Sequence, residues 1–242
     1  MTEALGDSLF RGRTLLVVAP HPDDEVLGCG GTIARAVQLG ARVCVMIVSV
    51  GDLRRVGDGG EVAYASARMK EVEAVAARLG IHEFEFIFTD EQSHLRLDAI
   101  PRRDLVAHLE RDARLSVTKL RPDFVFLPAP SYNQDHEAVA RAGLVACRPH
   151  DPNALPMPPG VLLYEYPPNS WCLPQERFLP NLYVDITEQL PEKLAAYGLY
   201  ESQARNGLHQ NHSDNVKHLA LLRGREAGVE AAEAFQVQRL RL

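Results

Sequence analysis

Apolar positions in this chain come in unbroken blocks separated by polar turns. Thr14-Leu15-Leu16-Val17-Val18-Ala19 is uncharged, and Val43 to Val48 and Phe124 to Leu127 repeat the pattern. Short blocks without polar alternation predict strands buried on both faces, which belong to parallel sheets covered by helices. Phe84 to Phe88 alternates and supplies another strand. Between the blocks the spacing becomes helical. Ile33 to Gly40 is amphipathic and ends on glycine, while Tyr64 to Leu79 places Ala65, Met69, Val72, Val75, Ala76 and Leu79 on one stripe before Gly80. Pro101 to Leu120 and Glu137 to about Cys147 also have a helical pattern.

Strands alternating with helices predict one α/β domain over residues 1–242, a Rossmann-like, doubly wound, mostly parallel sheet with helices on both faces. The common strand order 3-2-1-4-5 makes strands one and four neighbours and opens a crevice between their carboxyl ends. The second half is less regular. Pro149 to Gly160 is proline-rich loop, 161–166 and 182–185 are strands, and 167–180 is a long loop holding Trp171, of the kind that acts as a lid or a binding element. Leu190 to Ala204 is helical, and 206–215 is a polar loop whose His209 and His212 are expected in solvent.

The chemistry gathers where the first strand ends. Ala19-Pro20-His21-Pro22-Asp23-Asp24-Glu25 puts a histidine and three acids at that exit, stiffened by two prolines. His21 and Asp24, three apart, aim at one point and offer a nitrogen and an oxygen to a borderline metal, leaving Asp23 free. The same acids also suit the first turn of a helix. A catalytic zinc site usually takes three protein ligands. His136, at the exit of the fourth strand, is the third by topology, because that exit faces the first across the crevice. Gly28-Cys29-Gly30-Gly31 does not match a dinucleotide loop, and acids beside it would repel a pyrophosphate; close packing explains these glycines better. Gly51 to Gly60 is a glycine-rich loop near the same place, and Arg68 begins the next helix, paired with Glu71 or Glu73 or contacting substrate.

Composition narrows the partners. The chain has 242 residues, 46% hydrophobic and 24% charged, with formal charge −6 and scattered basic residues, which argues against nucleic acid or anionic membrane. No apolar run reaches membrane-spanning length, and Met1 to Arg13 lacks a signal-like stretch, so a cytoplasmic location is expected. Cys29, Cys44, Cys147 and Cys172 show no paired spacing and are expected as reduced core fillers.

With these residues placed, the chain resembles the PIG-L/LmbE-like N-deacetylase family. The likeness lies in Pro20 to Glu25, Gly28 to Thr32, Arg68-x-x-Glu71, the polar exit around Asp90 and the Asp135-His136 pair, over about residues 14–147; residues 148–242 diverge and are expected to form the substrate-binding part. The resemblance implies that His21, Asp24 and His136 bind Zn2+, that Asp23 is the general base, that Asp135 stands behind the ligands, and that Arg68 and Asp90 grip sugar hydroxyls. It implies removal of an acetyl group from an N-acetylglucosamine-type sugar or conjugate. Many members carry a histidine where this chain has Asn133, so oxyanion stabilisation falls to the Asn133 amide or to another group such as His209 or His212. Fe2+ or another divalent ion suits the same donors, and a homo-oligomer is allowed. Three competitors share part of the pattern: a nucleotide-binding Rossmann-like protein, a metal-binding protein without catalysis, and a two-His-one-carboxylate iron oxygenase.

Overall fold

The computed structural model describes residues 5–54, 62–151, 153–167, 171–203 and 208–241. Most of the glycine-rich stretch after the second strand, and parts of the 167–180 and 206–215 loops, lie outside the described residues.

The chain runs through α1 (Leu5–Phe10), β1 (Thr14–Ala19), α2 (Asp24–Gln38) and β2 (Arg42–Ser49), then a small antiparallel pair, β3 (Leu53–Arg54) and β4 (Val62–Ala63). Next come α3 (Ala65–Leu79), β5 (Glu83–Phe88), α4 (Arg102–Ala107), α5 (Val117–Leu120), β6 (Phe124–Pro128), α6 (Gln134–Ala146) and β7 (Gly160–Tyr164). The last elements are β8 (Leu182–Asp185), α7 (Leu190–Tyr197), α8 (Ser213–Ala227) and β9 (Ala232–Leu240).

The main sheet has seven strands in the order β5-β2-β1-β6-β7-β9-β8. Its first five members are parallel and reproduce the expected 3-2-1-4-5 order. β9 then returns antiparallel between β7 and β8. Alternate residues of β1 feed two cores. Leu15, Val17 and Ala19 pack with α2, α3, α7 and α8, whereas Leu16 and Val18 pack with α4 and α6 on the other face. Both faces of β1 are therefore covered, which is why it reads as an uninterrupted apolar block. Cys29, Cys44 and Cys147 are buried and unpaired, and Cys172 is partly exposed. No helix among the described residues is long and apolar enough to cross a membrane.

Four expectations change. The helix expected from Ile33 begins at Asp24, because the Asp23 carbonyl accepts from Val26 and Leu27 and the acids of the first turn complement the dipole. The glycines ride inside it: a Cβ on Gly28 would lie 2.1 Å from Tyr164, and one on Gly31 2.7 Å from Ile186. The helix expected over Pro101 to Leu120 breaks into α4, a π-helical turn at His108–Asp112 and α5. In the gap the Arg114 and Leu115 amides donate to the Glu85 carboxylate at 3.0 and 2.7 Å, clamping the segment over edge strand β5. The helix expected to reach Ala204 ends at Tyr197. The C-terminal pair α8 and β9 was not anticipated at all.

Candidate active site

β1 and β6 are neighbours, so the turns leaving their carboxyl ends meet above the sheet. The first turn carries His21, Asp23 and Asp24; the second carries Ser131, Asn133, Asp135 and His136. The His21 and His136 rings stand 5.7 Å apart between centroids. One donor atom each from His21, Asp24 and His136 fits within 4.8 Å of the others, and all three residues are buried. Asp24 Oδ2 is the hinge of this triangle, 3.5 Å from His21 Nδ1 and 3.2 Å from His136 Nε2.

The tautomers follow from the partners. His21 Nε2 lies 2.8 Å from Asp135 Oδ2, and the other oxygen of that carboxylate accepts from the Leu97 amide at 2.9 Å. Asp135 holds the proton on Nε2, so Nδ1 is the nitrogen a metal would take once it displaces the proton shared with Asp24, the carboxylate–histidine arrangement that steadies metal ligands. The His136 ring is braced by Tyr166, with centroids 4.6 Å apart, and the Tyr166 hydroxyl is hydrogen-bonded to Ser131 Oγ at 2.8 Å. Two nitrogens and a carboxylate oxygen converging in a buried place, with His21 steadied by Asp135 and the His136 ring by Tyr166, are a donor set that could hold a divalent ion.

Protonation in the metal-free cluster is dominated by proximity. Burial pulls the His21 imidazole down, but hydrogen bonds to Asp135 and Asp24 prevail and lift it to about 9. Burial would raise Asp24, yet the two imidazoles hold it well below the usual carboxylate range. Asp23 is pushed well above that range by burial and then by Asp24 and Glu25. It is also the N-cap of α2, with φ 106°, a left-handed conformation that costs a residue with a Cβ. Its amide donates to Glu25 Oε2 at 3.2 Å, and the other Glu25 oxygen accepts from the Tyr200 hydroxyl. A two-carboxylate turn is thus held in place from the far side of α2.

Arg68 is 1% exposed and reaches the same end of the sheet. Its NH1 group bonds to the Gly51 carbonyl and to His94 Nε2, both at 2.8 Å, and buried Nε has no hydrogen-bond partner among the described residues. Among the described residues no salt bridge joins it to Glu71 or Glu73; Glu71 acts on it through its charge alone and accepts from the Ser202 amide at 2.7 Å. Because His94 Nε2 accepts from a guanidinium, His94 is neutral with its proton on Nδ1, facing Ser49 Oγ at 3.2 Å. Its edge meets the His21 ring at 5.7 Å.

The other expected residues lie less centrally. Asp90 is exposed and uses its carboxylate within its own turn, accepting from Ser93 and Gln92. Asn133 caps α6, its Oδ1 accepting from the Asp135 amide at 3.0 Å, which leaves the Nδ2 hydrogens to donate elsewhere. His209 and His212 each accept a nearby amide on Nδ1, and His212 caps α8. His94 and Tyr166 were missed as site residues. Both stand just beyond parallel strands, β5 and β7, so the crevice argument that found His136 would have flagged them had it been applied to every strand exit.

The chain is similar to an uncharacterised deacetylase, YaiS, of Escherichia coli K12, with 28% identity over 84% of this chain and 98% of the relative. It is also similar to the diacetylchitobiose deacetylase of Thermococcus kodakarensis, with 26% identity over 93% of this chain and 82% of the relative. Among solved structures, 4-carboxy-2-hydroxymuconate hydratase GalB of Pseudomonas putida KT2440 superposes with a TM-score of 0.65 and 23% identity, covering 95% of this chain and 98% of that one. That likeness concerns the fold alone. The family model described as PIG-L, GlcNAc-PI de-N-acetylase, matches residues 16–147, more than half of the chain and the stretch that holds the whole His21, Asp24 and His136 triangle. This chain belongs to the PIG-L family of deacetylases.

Proposed function

We propose that this protein is a divalent-metal-dependent N-deacetylase acting on a small amino-sugar substrate of the N-acetylglucosamine type. The observation that carries it is the convergence of His21 Nδ1, Asp24 Oδ2 and His136 Nε2 beside a further carboxylate, Asp23. The ion, Zn2+ by donor type or Fe2+ on the same donors, would polarise an acetyl carbonyl and lower the pKa of water to about 7. Asp23 is the proton carrier: it removes a proton from the attacking water and gives it to the departing amine. The Glu25 brace on its amide fixes the backbone from which that carboxylate projects. Asn133 Nδ2 is the hydrogen-bond donor assigned to the oxyanion, in the position where many relatives have histidine. Arg68, whose Nε finds no partner among the described residues and whose NH1 is held by Gly51 and His94, is assigned to sugar hydroxyls, and Asp90 to the outer edge of the sugar.

A hydratase on the same fold makes metal binding alone insufficient as a test. The assay is therefore release of primary amine and acetate from N-acetylglucosamine, its glycosides and diacetylchitobiose by protein loaded with Zn2+ or Fe2+. The expected result is amine release by the wild type and loss by about 10²–10⁴-fold in Asp23→Asn, with metal content unchanged. Full turnover in Asp23→Asn, or no amine and no acetate from any substrate with either metal, would refute the proposal.

A further inference from the structure

The lip of the metal cluster has a character of its own. Tyr132 precedes Asn133, the cap of the helix whose first turn bears His136. Its amide donates to the Trp171 carbonyl at 3.1 Å, and Gln210 Nε2 donates to its hydroxyl at 3.1 Å. Three loops from distant parts of the chain thus meet at one end of α6. They leave their large apolar groups in solvent: Tyr132 is 50% exposed, Trp171 75%, and Leu208, two residues before Gln210, entirely so. Exposed aromatic groups on loops that meet at one helix end mark a place where a ligand completes the burial. The segments 131–134, 171–173 and 208–213 contain no Asp, Glu, Lys or Arg.

We propose that Tyr132 and Trp171 form an aglycone subsite for an uncharged, apolar group carried on the amino sugar. The proposal rests on the deacetylase reading for the orientation of the substrate. The acetamido end must enter among His21, Asp24 and His136, of which His136 is only 2% exposed, so the opposite end of the conjugate projects past the lip. An alkyl or aryl aglycone there covers the two rings and loses nothing to unpaired charge, whereas a carboxylate or phosphate finds no lysine or arginine in these segments. Two rings with few rotatable bonds lose little entropy on such contact.

Trp171 is the only tryptophan in the chain, so its emission reports this place directly. The test titrates metal-loaded protein with octyl and methyl 2-acetamido-2-deoxyglucopyranosides, both anomers, below the critical micelle concentration. The octyl compound should shift Trp171 emission to the blue and bind about tenfold more tightly than the methyl compound. Tyr132→Ala should bring that ratio near one. In turnover, Trp171→Ala should likewise collapse the octyl-to-methyl ratio of kcat/KM. Unmoved emission with the octyl compound, or equal affinities in the wild type, would overturn the subsite. An emission shift without any amine released would uphold the subsite and sink the deacetylase assignment instead.

Discussion

Asp135 shows how one side chain sets the chemistry of another. Completely buried, it divides its two oxygens between His21 Nε2 and the Leu97 amide, so the His21 tautomer is decided by a residue that faces away from the donor triangle. Asp135→Asn keeps the size and an acceptor but loses the charge. It should weaken zinc binding by about 10–100-fold in a chelator competition; an unchanged affinity would remove Asp135 from the account. Asp23 invites the opposite experiment. At φ 106° a glycine is at ease where alanine is not, so Asp23→Gly should be more stable than Asp23→Ala by about 1 kcal/mol in urea unfolding. His21, Asp24 and His136 were legible in the sequence because each sits at the exit of a buried apolar block. The hand-off from Arg68 to His94 to Ser49 was not, since its members are spread over a helix, a loop and a strand end with no common spacing.

At the scale of elements, α2 is held by an ion pair spliced into its middle. Lys193 Nζ donates to the Leu27 carbonyl at 2.8 Å and to Glu233 Oε1 at 2.6 Å, while the Glu233 carboxylate accepts from the Gly31 and Thr32 amides at 2.9 and 2.7 Å. Both side chains are buried, and removing one partner strands a charge. Lys193→Met should cost about 3–5 kcal/mol, and Lys193→Met with Glu233→Gln should cost less than the single change; equal losses would mean the charge is not what matters. The same contact explains what the sequence concealed. Glu233 belongs to β9, a strand whose Ala-Glu-Ala-Phe opening buries a carboxylate that exists only to meet α2 and α7, and no local pattern announces such a partner. The Pro101 to Leu120 stretch failed for a similar reason: its apolar spacing is helical, yet Glu85 on the edge strand captures the amides that would have continued the helix.

For the whole molecule, the doubly wound sheet followed from alternation of blocks, because strand burial on two faces is a property each block carries by itself. The antiparallel return of β9 is a property of the assembled sheet and could not be read locally. Stability of the metal-free protein should carry the mark of His94, which burial, then Arg68 and His21, push down to about 3. Folded His94 binds fewer protons than the unfolded chain between about pH 3 and 6.5. Its contribution is therefore full above pH 6.5 and is lost as pH falls toward 3. Glu25, raised to about 7 chiefly by burial, acts in the opposite sense, so the informative quantity is the difference from a variant. His94→Gln, which still offers Arg68 an acceptor, should show a smaller fall in Tm between pH 7 and 4.5 than the wild type; an identical fall would contradict the neutral, accepting His94.

The claim on which all else stands is that the two strand exits hold one divalent ion between them. Anomalous scattering at the zinc edge from crystals of zinc-loaded protein measures it directly. A single peak bonded to His21 Nδ1, Asp24 Oδ2 and His136 Nε2 at about 2.0–2.2 Å is expected; no peak at these atoms, or one coordinated by other side chains, would contradict a shared ion.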